Sequence, residues 1–188
     1  MHITIGVSGS EGSFSEEAAQ YYCQKNNIVD YELRYLISVE NVLNSLIGGK
    51  IDRGVFPIEN SNGGIVYEAI YAMAKHTFSI ENIFEIDVKH NLMALPGVAK
   101  EDIKKIASHD QALKQCRMYL KRRWQGAELI EWSDTAQAAK DLSAGVLPSN
   151  AAVIAPKRAA ELYDLEILEE SIQDLKFNFT TFILAAKK

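Results

Sequence analysis

The stretch Ile3-Thr4-Ile5-Gly6-Val7-Ser8-Gly9-Ser10-Glu11-Gly12-Ser13-Phe14-Ser15-Glu16-Glu17-Ala18-Ala19 sets the reading of the whole chain. Its first five residues are rich in β-branched side chains and predict a buried strand. A loop of glycine, serine and glutamate follows, and residues 14–26 read as a helix. Ser13 and Glu16 have the spacing of a capping box, and the glycines let the backbone approach a ligand closely. A strand handing over to a helix through such a loop is the building unit of an α/β protein.

The unit recurs along the chain. A second strand is predicted over 31–37, and the helix after it is the clearest of all. Val39, Val42, Leu43, Leu46 and Ile47 fall on one of its faces, and Gly48-Gly49 ends it. A third strand over 54–57 leads through a glycine-rich turn into a helix over 65–75. Residues 79–88 alternate polar and apolar side chains over part of their length, predicting an extended, half-exposed strand able to cross between lobes. Three more strand–helix units follow, 103–107 with 111–123, 128–132 with 135–143 and 151–154 with 157–163, before a last strand over 179–185. The expected architecture is α/β, two lobes around one cleft. The first lobe would run over about 1–76 plus about 174–188, and the second over about 90–165.

The 188 residues are 47% hydrophobic and 24% charged, the balance of a globular protein that needs no metal or disulfide staple. Twenty Lys and Arg against 25 Asp and Glu give a net charge of -5, which argues against a general nucleic-acid binder and against a membrane-surface protein. Cys23 and Cys116 are too few for a disulfide framework and read as packing residues. With no basic leader and no long apolar run, a cytoplasmic location is expected.

Unusual polar sequence gathers where strands hand over to helices: the 8–15 loop, Glu59-Asn60-Ser61-Asn62-Gly63-Gly64, Ser108-His109-Asp110-Gln111 and Ser133-Asp134-Thr135. In open α/β sheets ligands bind at the carboxyl ends of strands, and helix N-termini favour anions. Each junction taken singly is also ordinary capping, because Ser, Asp and Asn are the preferred caps. Together they suit a small carboxylate or phosphate. His2, His76, His90 and His109 are scattered, with no zinc spacing, so no metal is expected. Lys121-Arg122-Arg123 close a helix, where the dipole accounts for them.

At these same junctions the chain resembles the prephenate dehydratase family. Residues 9–19 look like that family's GPEGTFSEEAA loop, and Pro57-Ile58-Glu59-Asn60-Ser61 with Gly64 and Val66 is similar to its PIENS-xx-G-x-V signature. Residues 108–116 resemble SHPQALxQC, residues 134–139 resemble STAxAA, and Ile172-Gln173-Asp174 with residues 178–182 resembles IQD…N-x-TRF. Five motifs in family order span nearly the whole chain. The resemblance implies a fold like the type II periplasmic-binding proteins, with catalysis between two lobes and neither cofactor nor metal. It implies that Thr180 is the catalytic hydroxyl and that Asn60 and Gln111 belong to the active site. Ser13, Glu59, Ser61, Gly64, Ser108, His109, Thr135 and Phe182 are the implied substrate-binding residues. It also implies a small-molecule substrate, prephenate or a related carboxylate, and a homodimer. Family members usually carry a C-terminal ACT domain. Here the chain stops after the TRF-like strand, so it either lacks feedback control in cis or is an isolated catalytic domain.

The family reaction takes CO2 and water from prephenate and forms phenylpyruvate. A threonine hydroxyl hydrogen-bonded to the departing oxygen can act as general acid. Some positions depart from the family pattern. Thr181 replaces the arginine of TRF, Asp110 the proline of SHP, and Ser10 and Ser13 the proline and threonine of GPEGTF. A lost cation at 181 and a gained anion at 110 disfavour a dianionic substrate, with Lys157 or Arg158 as candidate replacements. Two alternatives stay open: a lyase for arogenate, whose ammonium could pair with Asp110, and a binding protein that holds a carboxylate without turning it over. Restoring arginine at 181 is expected to raise turnover of a weakened dehydratase.

Overall fold

The computed structural model describes residues 2–188, which divide by their contacts into two compact units. The first holds 2–10, 14–87 and 179–188, and the second 11–13 and 88–178.

In the first unit the elements are β1 (Ile3–Val7), α1 (Phe14–Lys25), β2 (Tyr31–Tyr35), α2 (Val39–Ile47), β3 (Arg53–Asn60), β4 (Gly64–Ile65), α3 (Tyr67–Lys75) and β5 (Ser79–Asp87). The last strand of the chain, β11 (Phe179–Ala186), also belongs here. The sheet order is β2-β1-β3-β11-β5, with β4 pairing β3. β1 runs parallel to β2 and β3, whereas β11 runs antiparallel to both β3 and β5. Of the predicted apolar face of α2, Val39, Val42, Leu43 and Leu46 are buried while Ile47, beside the helix end, is exposed, and the Ser38 hydroxyl caps the helix by accepting from the Asn41 N–H at 3.2 Å. Gly54 lets α2 lie close: a Cβ there would stand 2.6 Å from a Val42 methyl.

β3 is longer than the predicted 54–57. Pairing with β11 on one side and β4 on the other carries the ladder through Glu59 and Asn60, which the sequence had put in a turn.

The second unit contains β6 (Asn91–Ala94), a 3₁₀ turn (Lys100–Asp102), β7 (Lys105–Ser108), α4 (Asp110–Gln115), α5 (Arg117–Arg123), β8 (Glu128–Glu131), α6 (Thr135–Ser143), β9 (Ala151–Ala155), α7 (Lys157–Tyr163) and β10 (Glu166–Glu169). Its sheet order, β10-β6-β9-β7-β8, repeats the plan of the first. Read from the other edge, three parallel strands β8-β7-β9 are followed by antiparallel β6 and then β10. In each unit the antiparallel strand next to the parallel set begins soon after the chain crosses over: β6 after residue 88, β11 at residue 179.

Three expectations need correcting. The single helix over 111–123 is broken at Cys116, whose φ of -106° and ψ of 12° end α4. Asp174 caps the next helix, its carboxylate accepting from the Met118 and Tyr119 N–H groups at 2.7 and 2.8 Å. Residues 174–178 therefore belong with the second unit, where Asn178 also bonds Gln115 and its carbonyl accepts from the Val88 N–H at 2.7 Å. Residues 11–13 lie there too. The Tyr163 hydroxyl donates to the Glu11 carbonyl at 3.0 Å, and Gly12, at φ +84°, comes so close to Ala159 that a Cβ would meet its backbone at 3.3 Å.

Cys23 and Cys116 are free and buried, and burial pushes both thiols up, Cys23 to about 11. Among the described residues no helix is long and apolar enough to cross a membrane. No group of three or more His, Cys, Asp or Glu among them is placed to hold a metal.

Candidate active site

The end of β3 and the start of β11 form the most developed polar constellation of the first unit. The register sets Asn60 opposite Thr180, and the Asn60 amide Nδ2 donates to the Thr180 hydroxyl at 2.8 Å. Which end of the amide does this is fixed. Asn60 Oδ1 accepts from the backbone N–H groups of Asn62 and Gly63, at 2.9 and 2.7 Å, so the carbonyl end faces the turn and the NH2 end faces Thr180. With a lone pair of Thr180 Oγ1 held by Asn60, the threonine's own proton is directed elsewhere. Thr180 is only 8% exposed. A hydroxyl oriented in this way is a donor aimed at whatever oxygen lies against it.

The surrounding residues hold that geometry. Ser61 N–H donates to the Phe179 carbonyl at 2.8 Å, and its hydroxyl accepts from the Phe179 N–H at 3.0 Å, clamping the residue before Thr180. Gly64 closes the turn opposite Asn60 at φ +77°, a conformation that favours glycine.

Other expected site residues stand differently. Glu59 pairs with Thr181, so strand alternation puts both on the side away from Asn60 and Thr180. There the Thr181 hydroxyl donates to the Glu85 carboxylate at 3.3 Å. Phe182 is a core ring, 1% exposed and stacked on Phe84 at 6.0 Å, and offers no surface to a ligand.

Ser13, Ser108, His109, Gln111 and Thr135 belong to the second unit. Ser108 is wholly buried at the end of β7, and its hydroxyl donates to the Ile154 carbonyl of β9 at 2.6 Å, a bond that ties two strands together. His109 rather than Ser108 caps α4. Its Nδ1 accepts from the Gln111 N–H at 3.3 Å, which requires the ring proton on Nε2. The Gln111 side chain is exposed in the first turn of α4. Asp134 caps α6 by accepting from the Gln137 N–H at 2.9 Å, leaving Thr135, nearly buried, as the first residue of the helix. Ser13 is likewise buried, just ahead of α1.

The charge changes are milder than the sequence suggests. The Asp110 carboxylate is engaged by Lys114 one turn on, and that contact raises the lysine pKa. Lys157 pairs with Glu170 at 3.1 Å and Arg158 with Glu161 at 3.2 Å, so each candidate replacement cation already faces an acid.

Sequence reasoning missed one polar cluster. Gln115 Oε1 accepts from His90 Nε2 and from Asn178 Nδ2, both at 2.8 Å, and Gln173 Oε1 accepts from the His90 N–H at 3.1 Å. Burial holds His90 down at about 4, with the Gln115 bond opposing, so the ring is neutral near neutral pH. Its hydrogen bonds join residues 25 to 83 apart in sequence, beyond any spacing rule. The available signal was that Gln115, Gln173 and Asn178 lie inside the quoted motifs.

Two sheets built on one plan, each with an antiparallel strand supplied as the chain crosses over, define the type II periplasmic-binding-protein class of α/β fold. A nutrient-binding protein from Burkholderia cenocepacia, solved bound to methionine, has this fold at 13% identity and a TM-score of 0.53, over 98% of this chain and 84% of that one. Within that class the chain belongs to the prephenate dehydratase family, whose model matches residues 5–188. The prephenate dehydratase of Arthrobacter aurescens, solved in complex with L-Phe, is 29% identical with a TM-score of 0.89, over 99% of this chain and 61% of that one. Arogenate dehydratase 3, chloroplastic, of Arabidopsis thaliana is 35% identical over 190 residues, covering 100% of this chain and 43% of the plant protein. The chain spans less than half the length of the curated relatives it matches.

Proposed function

We propose that the protein converts prephenate to phenylpyruvate, with Thr180 as the general acid. As the ring carboxylate leaves as CO2, the electrons of its C–C bond move into the ring and the ring hydroxyl departs on the opposite side of the electron flow. The departing oxygen takes the Thr180 proton and leaves as water, and Thr180 recovers a proton from solvent. No net oxidation or reduction occurs, and the aromatic ring formed drives the step forward. The observation that carries this reading is the fixed Asn60–Thr180 hydrogen bond, which occupies a lone pair of the threonine oxygen and leaves its own proton for another acceptor. General acid assistance of this kind contributes about 10²–10⁴-fold. Ser108 donates to the Ile154 carbonyl and Phe182 stacks on Phe84.

Arogenate is the second reading, because the 35%-identical plant relative bears the name arogenate dehydratase. The Asp110 carboxylate stands beside Lys114, one turn on along α4, so it is not held in reserve for a substrate ammonium. Incubation of the protein with each substrate, reading phenylpyruvate and phenylalanine separately, tests the assignment. Phenylpyruvate from prephenate is expected. Phenylalanine from arogenate alone would move the substrate, and consumption of neither would remove the activity.

A further inference from the structure

A concavity of about 500 Å³ on the second unit shares no residue with the candidate site. Its charged walls are four cations, Lys100, Lys104, Arg122 and Arg123, against Glu101 and Glu169, with the Trp124 ring beside them. The cations come from two separate segments: Lys100 and Lys104 from the 3₁₀ turn and the residues after it, Arg122 and Arg123 from the last turn of α5. The helix dipole accounts for the arginines and says nothing of the lysines.

Their neighbours leave them available. Lys104 Nζ donates to the Glu101 carbonyl at 2.9 Å, and the Glu169 carboxylate is taken by the Tyr119 hydroxyl at 2.9 Å. Burial pushes Tyr119 up to about 12, so it remains a neutral donor to Glu169. Lys100, Arg122 and Arg123 make no ion pair among the described residues. On a chain of net charge -5, four cations against two carboxylates around one concavity leave a positive balance at that spot. Arginine forks match carboxylate and phosphate geometry, lysine adds a point charge, and an indole face suits the apolar part of a ligand.

We propose that this pocket binds a small polyanion carrying phosphate or carboxylate groups, held by Lys100, Arg122 and Arg123. The proposal is independent of the dehydratase reading. Calorimetric titration of the protein with inorganic pyrophosphate and with citrate, at constant ionic strength set by sodium chloride, tests it. Saturable one-to-one binding of at least one of them is expected, and which one identifies the anionic group. The double variant Arg122→Ser/Arg123→Ser and, separately, Lys100→Ser should each weaken binding about tenfold or more, with unchanged circular dichroism. Because the two variants lie on different segments, misfolding of one leaves the other as the test. Thr180→Ala should bind as the wild type does. Absence of saturable binding for both anions, binding that the pocket variants leave within about threefold, or binding lost in Thr180→Ala overturns the proposal.

Discussion

Asn60 does two things with one amide: its oxygen holds the 60–64 turn and its nitrogen orients Thr180. Asn60→Asp separates them. The carboxylate still accepts from Asn62 and Gly63 but can no longer donate, so it captures the Thr180 proton. Thermal stability should change little, while kcat should fall by about 10²-fold, the low end of general acid effects. Equal loss of stability and activity would show that Asn60 only shapes the turn. Position 181 now carries a different expectation from the one its motif suggests. Its side chain lies across the strand from Thr180 and beside Glu85, where an arginine would find that carboxylate first. Thr181→Arg should therefore leave kcat/KM for prephenate within about threefold, well under the tenfold that 1.4 kcal/mol would give. Site legibility divides along the same line. Periodicity and spacing pointed to the strand–helix junctions, and the motifs pointed to Asn60 and Thr180. Neither could show that Ser108 spends its hydroxyl on Ile154, because that bond joins residues 46 apart.

Helix α2 shows how much of an element its own sequence contains: most of its buried face and its end were readable in 39–49. What it packs against was not. Gly54 on β3 is the contact that admits Val42, so Gly54→Ala should destabilise the fold by about 1–3 kcal/mol through overpacking. In a Val42→Ala background the same change should have a much smaller effect, a coupling that urea denaturation of the four-protein cycle measures. Additive losses would mean that the helix does not press on Gly54. β6 and β10 went unread for related reasons. All four residues of β6 are buried, so it lacks the alternation that marks a half-exposed strand, and both strands are only four residues long. The break at Cys116 was invisible because its other half, the Asp174 cap, lies 55 to 56 residues beyond the Tyr119 and Met118 N–H groups that it accepts from.

For the whole molecule, the repeated plan of two sheets was legible as alternating strand and helix signals. The assignment of short segments to one unit or the other was not, since residues 11–13 and 174–178 are claimed by hydrogen bonds and close packing rather than composition. The buried His90–Gln115–Asn178 cluster ties global stability to pH. With its folded pKa near 4 against an ordinary 6.5, the unfolded chain binds the extra proton between those values. His90 thus contributes stability fully above about pH 6.5, and loses it as pH falls toward 4. Unfolding free energy should drop by roughly 2 kcal/mol from pH 7 to pH 5 on this account, and His90→Gln should remove that part of the slope. An unchanged slope in the variant would assign the pH dependence to other groups. The most direct test of the catalytic reading is single-turnover conversion of prephenate by wild type, Thr180→Ser and Thr180→Ala. Thr180→Ser keeps the hydroxyl and should stay within about tenfold of wild type, while Thr180→Ala should fall by about 10² or more with its fold intact. A folded Thr180→Ala protein that turns over prephenate at the wild-type rate would contradict it.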